Sequence, residues 1–445
     1  IDLPKMGANP NKPDIFIQAD WMENSTLGIT RRPSPEGLKI VYDAFASSPY
    51  KSPTGSIGIE VHIDNGADSI LNYSTGAKWG NLSQAQKRSY VHVLTTDEFN
   101  KNYLPDFMKT GRATIFHYVL FADSIPNGST GSSPTPGTLM IVSLGVVRDA
   151  VRNAFGISYA RQEGGTLMHE LGHNLGLDHG GDEDVRWKPN YLSVMNYAFQ
   201  LSGLTRNGKS GIYDYSRSEL PPLRENDLDE VKGIIGGAAS EEYGTVHYCK
   251  RGGIFDFRSE SDLHAAVPHA NGPIDWNCTA IPLVNDGIDK GITVRADVNG
   301  DEDFGILHGY NDWEHISFTK NGVIGKNGVT INLSMDFSHT DMTLEDALQA
   351  PPLEWVEQRH TQDVSTATAA AIPTTIAQIT PTVANANATI PTQIEPTTTE
   401  LSGAPPTESS HNDSRFRSYL LISGGILAIL IALALLIMLR KSSSR

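Results

Sequence analysis

Only two cysteines occur in 445 residues, at Cys249 and Cys278. That is too few for a disulfide-stapled scaffold or a cysteine-rich zinc site; it leaves one structural disulfide in an oxidising compartment, or two buried thiols. Basic residues are also scarce, 35 Lys and Arg against 51 Asp and Glu, for a formal charge of −16. A nucleic-acid partner requires a basic face, so that class is set aside. The opening stretch has no charged-then-apolar signal pattern and starts at Ile1 rather than Met, so the sequence reads as a piece of a longer chain. No internal repeat is found.

The C-terminal part differs in composition from the rest. Residues 418–439 form an uncharged apolar run of about 22 residues, long enough to cross a hydrocarbon core as one transmembrane helix. Arg440, Lys441 and Arg445 follow, so the positive-inside rule expects a cytoplasmic tail at residues 440–445 and everything before the span outside the cell. Residues 356–417 are rich in Thr, Pro and Ala, with almost no aromatic residues and no amphipathic period. Such a segment buries too little apolar surface to offset its ordering entropy, and is expected to be a disordered stalk. Eight N-x-[ST] sequons occur, at Asn24, Asn72, Asn81, Asn127, Asn277, Asn332, Asn387 and Asn412.

Residues 1–355 read as the folded part. Segments 14–22 and 56–64 alternate like strands, and 35–47 between them has helical spacing. Segments 113–122 and 138–147 look like further strands, separated by the Gly-, Ser- and Pro-rich loop NGSTGSSPTPG. A mixed α/β sheet layer is therefore expected ahead of the segment GGTLMHELGHNLGLDHGG at 164–181.

In that segment His169 and His173 are four apart, so on a helix both imidazoles lie on one face and can reach one ion. Glu170 is rotated away and suits a general base that takes a proton from metal-activated water. Gly176 is placed to end the helix in a left-handed turn, after which His179 can return as the third ligand. Three imidazoles leave a fourth position open, as a catalytic zinc site requires. With five fixed positions at roughly one in twenty each, a chance match anywhere in the chain is on the order of one in 10⁴.

HELGHNLGLDH resembles the metzincin pattern HExxHxxGxxH, and YLSVMNY at 191–197 lies where that clan carries its Met-turn. The resemblance implies a zincin-like catalytic domain, with a twisted mixed sheet and an active-site helix, and a zinc-dependent endopeptidase acting on protein or peptide substrates at the cell surface. It makes Met195 the methionine beneath the zinc ligands. Ser193, Met195 and Tyr197 match the Ser-x-Met-x-Tyr of astacin-like and serralysin-like families, which implies that Tyr197 assists at the reaction oxyanion. The close match covers about 30 residues. DIFIQADWM at 14–22, PNYLSVMNYAFQ at 189–200, DYSRSELPPL at 214–223 and ADVNGDEDF…GYNDW at 296–313 together resemble a group of microbial secreted metzincin-like peptidases, a looser similarity that spans the folded region. Gly180, directly after His179, departs from the residues that mark individual families, so no single family is assigned.

Two weaker features complete the reading. Asp297, Asn299, Asp301 and Asp303 alternate oxygen ligands as in the opening of a calcium loop, although Glu302 stands where an EF-hand has glycine. Asp182, Glu183 and Asp184 read as a solvated acidic loop, with a second cation site as the less favoured alternative. The isolated His62, His92, His117, His247 and His315 read as packing or surface residues. The rival functions are a non-enzymatic surface binding protein on a peptidase scaffold and a zinc hydrolase of non-peptide amide bonds.

Overall fold

The computed structural model describes residues 1–236, 238–249, 263–279, 287–318, 323–325, 328–330, 334–337 and 341–349. The expected stalk, membrane span and tail, and the sequons at Asn332, Asn387 and Asn412, lie outside the described residues. Among the described residues no helix is long and apolar enough to cross a membrane.

The architecture is mixed α/β around a seven-stranded mixed sheet. Its central strand β1 (Asp14–Asn24) pairs in parallel with β2 (Glu60–Asp64) and β3 (Lys87–Ser89) along its two halves, and with β4 (Phe116–Phe121) on its other edge. Beyond β4 lie β5 (Gly131–Ser132) at the edge and β6 (Leu139–Val142) inside it, in the spatial order β4, β6, β5; β6 runs parallel to β4 and β5 antiparallel to β6. Ile29–Thr30 returns antiparallel to the tip of β1.

Both faces of the sheet are covered. Ile15, Ile17, Ala19 and Trp21 of β1 join one apolar cluster, while Phe16 and Met22 join another on the opposite side. The strand pleat sends alternate residues to opposite faces, so a doubly covered strand is apolar on both. The first cluster also contains the buried face of α1 (Pro35–Ala46), with Leu38, Val41, Ala44 and Phe45 at helical spacing. Ser34 caps α1, its Oγ accepting from Gly37 N at 3.1 Å, and Pro35 occupies the first turn, where its missing N–H costs nothing.

Helix α2 (Arg148–Phe155) and the long helix α3 (Tyr159–Asn174) follow the sheet. Every residue of α3 from Gln162 to Asn174 is buried, so its burial pattern has no solvent face. Glu163 ties α3 to α1, its Oε2 accepting from Ser34 N at 2.9 Å and Ser34 Oγ at 2.7 Å.

The elements differ in places from the sequence expectations, the strand expected at 113–122 beginning at Phe116. The strand expected at 56–64 begins only at Glu60, because Gly58 has φ +85° and turns the chain first. The strand expected at 138–147 stops at Val142, and the chain turns at 144–147 to enter α2. The segment expected to be only a loop contains β5, whose Gly and Ser have little strand propensity and are held by pairing with β6.

Candidate metal centre

Helix α3 delivers His169, Glu170 and His173 from its last two turns, capped at its start by Ser158, whose Oγ accepts from Arg161 N at 3.3 Å. The helix stops at Asn174, and Gly176 follows with φ +94°, the left-handed conformation that favours glycine. Leu177 N then donates back to Gly172 O at 3.0 Å, closing the turn that brings His179 under the helix.

All three imidazoles are fully buried, and each Nδ1 faces an oxygen. His169 Nδ1 lies 2.9 Å from Val194 O, His173 Nδ1 2.8 Å from Leu177 O, and His179 Nδ1 on the Asp184 carboxylate. Carbonyl and ionised carboxylate oxygens only accept, so each Nδ1 carries a ring proton, and in the neutral imidazoles the Nε2 lone pairs face inward. His169 and His173 Nε2 are 3.2 Å apart. Tetrahedral ligands about 2.05 Å from a metal would be roughly 3.3 Å from one another.

A fourth group, absent from the sequence reading, completes the cluster. Asp341, itself fully buried, places Oδ1 2.9 Å from His169 Nε2 and 3.4 Å from His179 Nε2, with Oδ2 3.9 Å from His173 Nε2. His169, His173, His179 and Asp341 therefore form a group able to hold a metal ion. Inward lone pairs facing a carboxylate repel one another unless a cation lies between them, so the donor set itself fits a metal.

Glu170 is fully buried beside this group, its Oε2 accepting a short hydrogen bond from Ser133 Oγ. Burial, reinforced by the neighbouring Asp341 charge, pushes the Glu170 carboxyl well above its ordinary range. Asp341 goes the other way: burial opposes its ionisation, but His169, His179 and His173 hold it well below. Burial also works against charge on His179, yet Asp184 and Asp341 together leave it raised.

The segment after the motif is pinned from a distance. Asp312 accepts from Tyr191 Oη at 2.7 Å, Ser193 Oγ at 2.5 Å and Ser216 N at 3.0 Å. This clamps the turn that presents Val194 O to His169. Met195 is buried against α3 at Gly172, where an added Cβ would collide with its sulfur. Tyr197 opens the short helix α4 (Tyr197–Gln200); its buried ring lies 4.7 Å from the His179 ring and 6.0 Å from that of His169. Burial, then the Asp341 charge, keeps its phenol protonated.

Gly180 has a structural reason. A Cβ there would lie 2.7 Å from Val185 O and 2.9 Å from Glu183 O, so glycine lets residues 182–188 fold back over His179. Within that loop Asp184 holds His179, and Glu183 pairs with the buried Lys188 at 2.7 Å, correcting the reading of a merely solvated acidic run. Proximity to His179 in sequence was the available signal for Asp184. Asp312 and Asp341 had none, since each meets the site only through tertiary folding.

The remaining candidates stand apart from this centre. Asp297 accepts from Gly300 N at 2.6 Å and Glu302 N at 3.0 Å, Asp301 from Asp303 N at 2.8 Å, and Asn299 donates to Asp301 at 2.8 Å. These carboxylates serve the backbone of their own loop, and among the described residues they are not gathered into a metal-holding group. Cys249 and Cys278 form a disulfide, with Cα atoms 5.8 Å apart. His247 beside it is pushed down to about 4 by burial and stays neutral. No protein-family model, curated protein or solved structure matches the chain.

Proposed function

We propose that the protein is a zinc-dependent endopeptidase with a metzincin-like catalytic domain, carried outside the cell on a stalk and a single membrane span. The observation that carries this reading is the convergence of three Nδ1-protonated imidazoles with a buried glutamate from the same helical turn. A set of three nitrogen donors suits zinc, which when bound supplies Lewis acidity toward a scissile carbonyl and toward water.

The chain's own residues take the other roles. Glu170 moves the proton from water to the leaving amine, held in place by Ser133. Tyr197, a protonated phenol beside His179, donates a hydrogen bond to the developing oxyanion. Val194 O, Leu177 O and Asp184 fix the three imidazole planes. The Cys249–Cys278 disulfide suits the oxidising side of a membrane, in line with the charge distribution around residues 418–439.

One observation favours a second reading. Asp341 sits where a structural site would have its fourth ligand, and a closed site belongs to a non-enzymatic binding protein. Incubation of the full chain with a mixed peptide library separates the readings. Cleavage, by the full chain or once Asp341 is replaced, that a zinc chelator and Glu170→Gln both abolish, with zinc still bound in the Gln variant, is the expected result. Zinc content without cleavage, even after the site is opened by replacing Asp341, would reject the peptidase reading.

A further inference from the structure

Asp341 arrives on a short built segment that crosses the metal centre. Met342 is fully buried, and its carbonyl accepts from Thr130 N at 2.8 Å, next to the edge strand β5. The chain then enters helix α5 (Leu344–Gln349) through a reciprocal cap. Thr343 N and Oγ donate to Asp346 Oδ2 at 2.8 and 2.7 Å, and Asp346 N donates back to Thr343 Oγ at 3.3 Å. Ala347, 2% exposed, buries this helix against the same apolar cluster that contains Val151 of α2.

Three facts now meet at one place. An edge strand presents backbone groups that an extended peptide can pair with. Residues 341–342 make such a backbone bond beside β5 while putting a carboxylate among the three Nε2 atoms. Glu170, which a purely structural metal site would not need, lies buried under that carboxylate and beside Ser133. From these we infer that residues 341–349 are an internal plug: Asp341 fills the metal position that a reacting group would need, residues 341–342 fill the strand-docking place of an extended peptide substrate, and the chain as folded is latent until this segment is released.

The inference rests on the metal-dependent peptidase reading for the word latent, but the occupancy it describes can be read without turnover. The full chain is loaded with cobalt(II) and titrated with acetohydroxamate, following the visible absorption of the metal. In the wild type the spectrum should change little up to millimolar ligand. Asp341→Ala should retain cobalt and bind acetohydroxamate at least tenfold more tightly. Ala347→Glu, which keeps Asp341 but undermines the helix that holds it, should move in the same direction.

Peptide cleavage is measured on the same samples and should rise at least tenfold in both variants. Equal acetohydroxamate affinity in wild type and Ala347→Glu overturns the plug. Loss of cobalt from Asp341→Ala, with Ala347→Glu no more accessible than wild type, overturns it in favour of a structural ligand. Opened spectra without cleavage leave the plug standing and remove the peptidase reading. Full cleavage by the wild type, unchanged in the variants, does the reverse.

Discussion

Helix α3 contains glycines at positions where helix propensity and packing make opposite forecasts, and Gly165 separates them. An interior Gly→Ala change in a helix is worth about 1 kcal/mol of stabilisation from propensity alone. In this fold a Cβ at Gly165 would collide with the backbone carbonyl of Gln200 in α4 and come within 2.7 Å of Tyr213 Cε1. Neither obstacle is a freely moving side-chain tip, since the Tyr213 hydroxyl donates to Leu201 O at 2.6 Å. Relief requires α3 and α4 to separate, and overpacking of this kind costs about 1–3 kcal/mol or more. Because the nearest obstacle is backbone, the upper end of that range applies, and about 3 kcal/mol of overpacking less about 1 kcal/mol of propensity leaves Gly165→Ala destabilised by about 2 kcal/mol net. The same separation pulls His169 Nδ1 from Val194 O, now at 2.9 Å, and should weaken metal binding about tenfold. Urea unfolding of the apo protein followed by tryptophan fluorescence measures the first effect, and competition against a chromogenic chelator the second. A variant as stable as the wild type, or more so, would refute the close approach of α3 to α4.

Other consequences are equally direct. Asp184→Asn should cost about 10–100-fold in zinc affinity with little change in apo stability, since Asp184 is half exposed and acts through His179; unchanged affinity in the chelator competition would remove that role. Removing zinc should lower the unfolding free energy by about 2.7 kcal/mol relative to protein held at a hundredfold excess over Kd, and chelator-insensitive urea midpoints would count against a metal at this centre. Asp312 is pushed up to about 6, by burial above all, from an unfolded value near 3.8. The folded state therefore holds this proton more tightly than the unfolded chain, and stability is lost as pH rises from about 4 to 6. Asp312→Asn should accordingly gain on the wild type by up to about 3 kcal/mol between pH 4 and pH 7, whatever its offset at low pH; parallel stability–pH curves would contradict the shift.

Local physics made part of this molecule legible in its sequence. The spacing of His169 and His173 places both on one helix face because the helical period is a backbone property. Gly176 marks the end of that helix because φ +94° suits glycine, and Ser34-Pro35 marks the start of α1 through a cap that needs only its own first turn. Alternation located β1 and β2, and the apolar run at 113–122 located β4. The rest required long-range contact. β5 is made of residues with little strand preference and exists because β6 is beside it. Asp312 braces the turn before Met195 from more than a hundred positions away, and no local pattern distinguishes it from its acidic neighbours. Asp341 is the clearest case. In sequence it stands alone, whereas in the fold one backbone bond to Thr130 and a capped helix carry its carboxylate into the cluster of imidazoles. His169, Glu170 and His173 were determined by sequence spacing, because four residues make about one helical turn, and Gly176 marked the turn that returns His179. Whether their site stands open or closed was decided only by tertiary structure, because the group that closes it is brought there by packing.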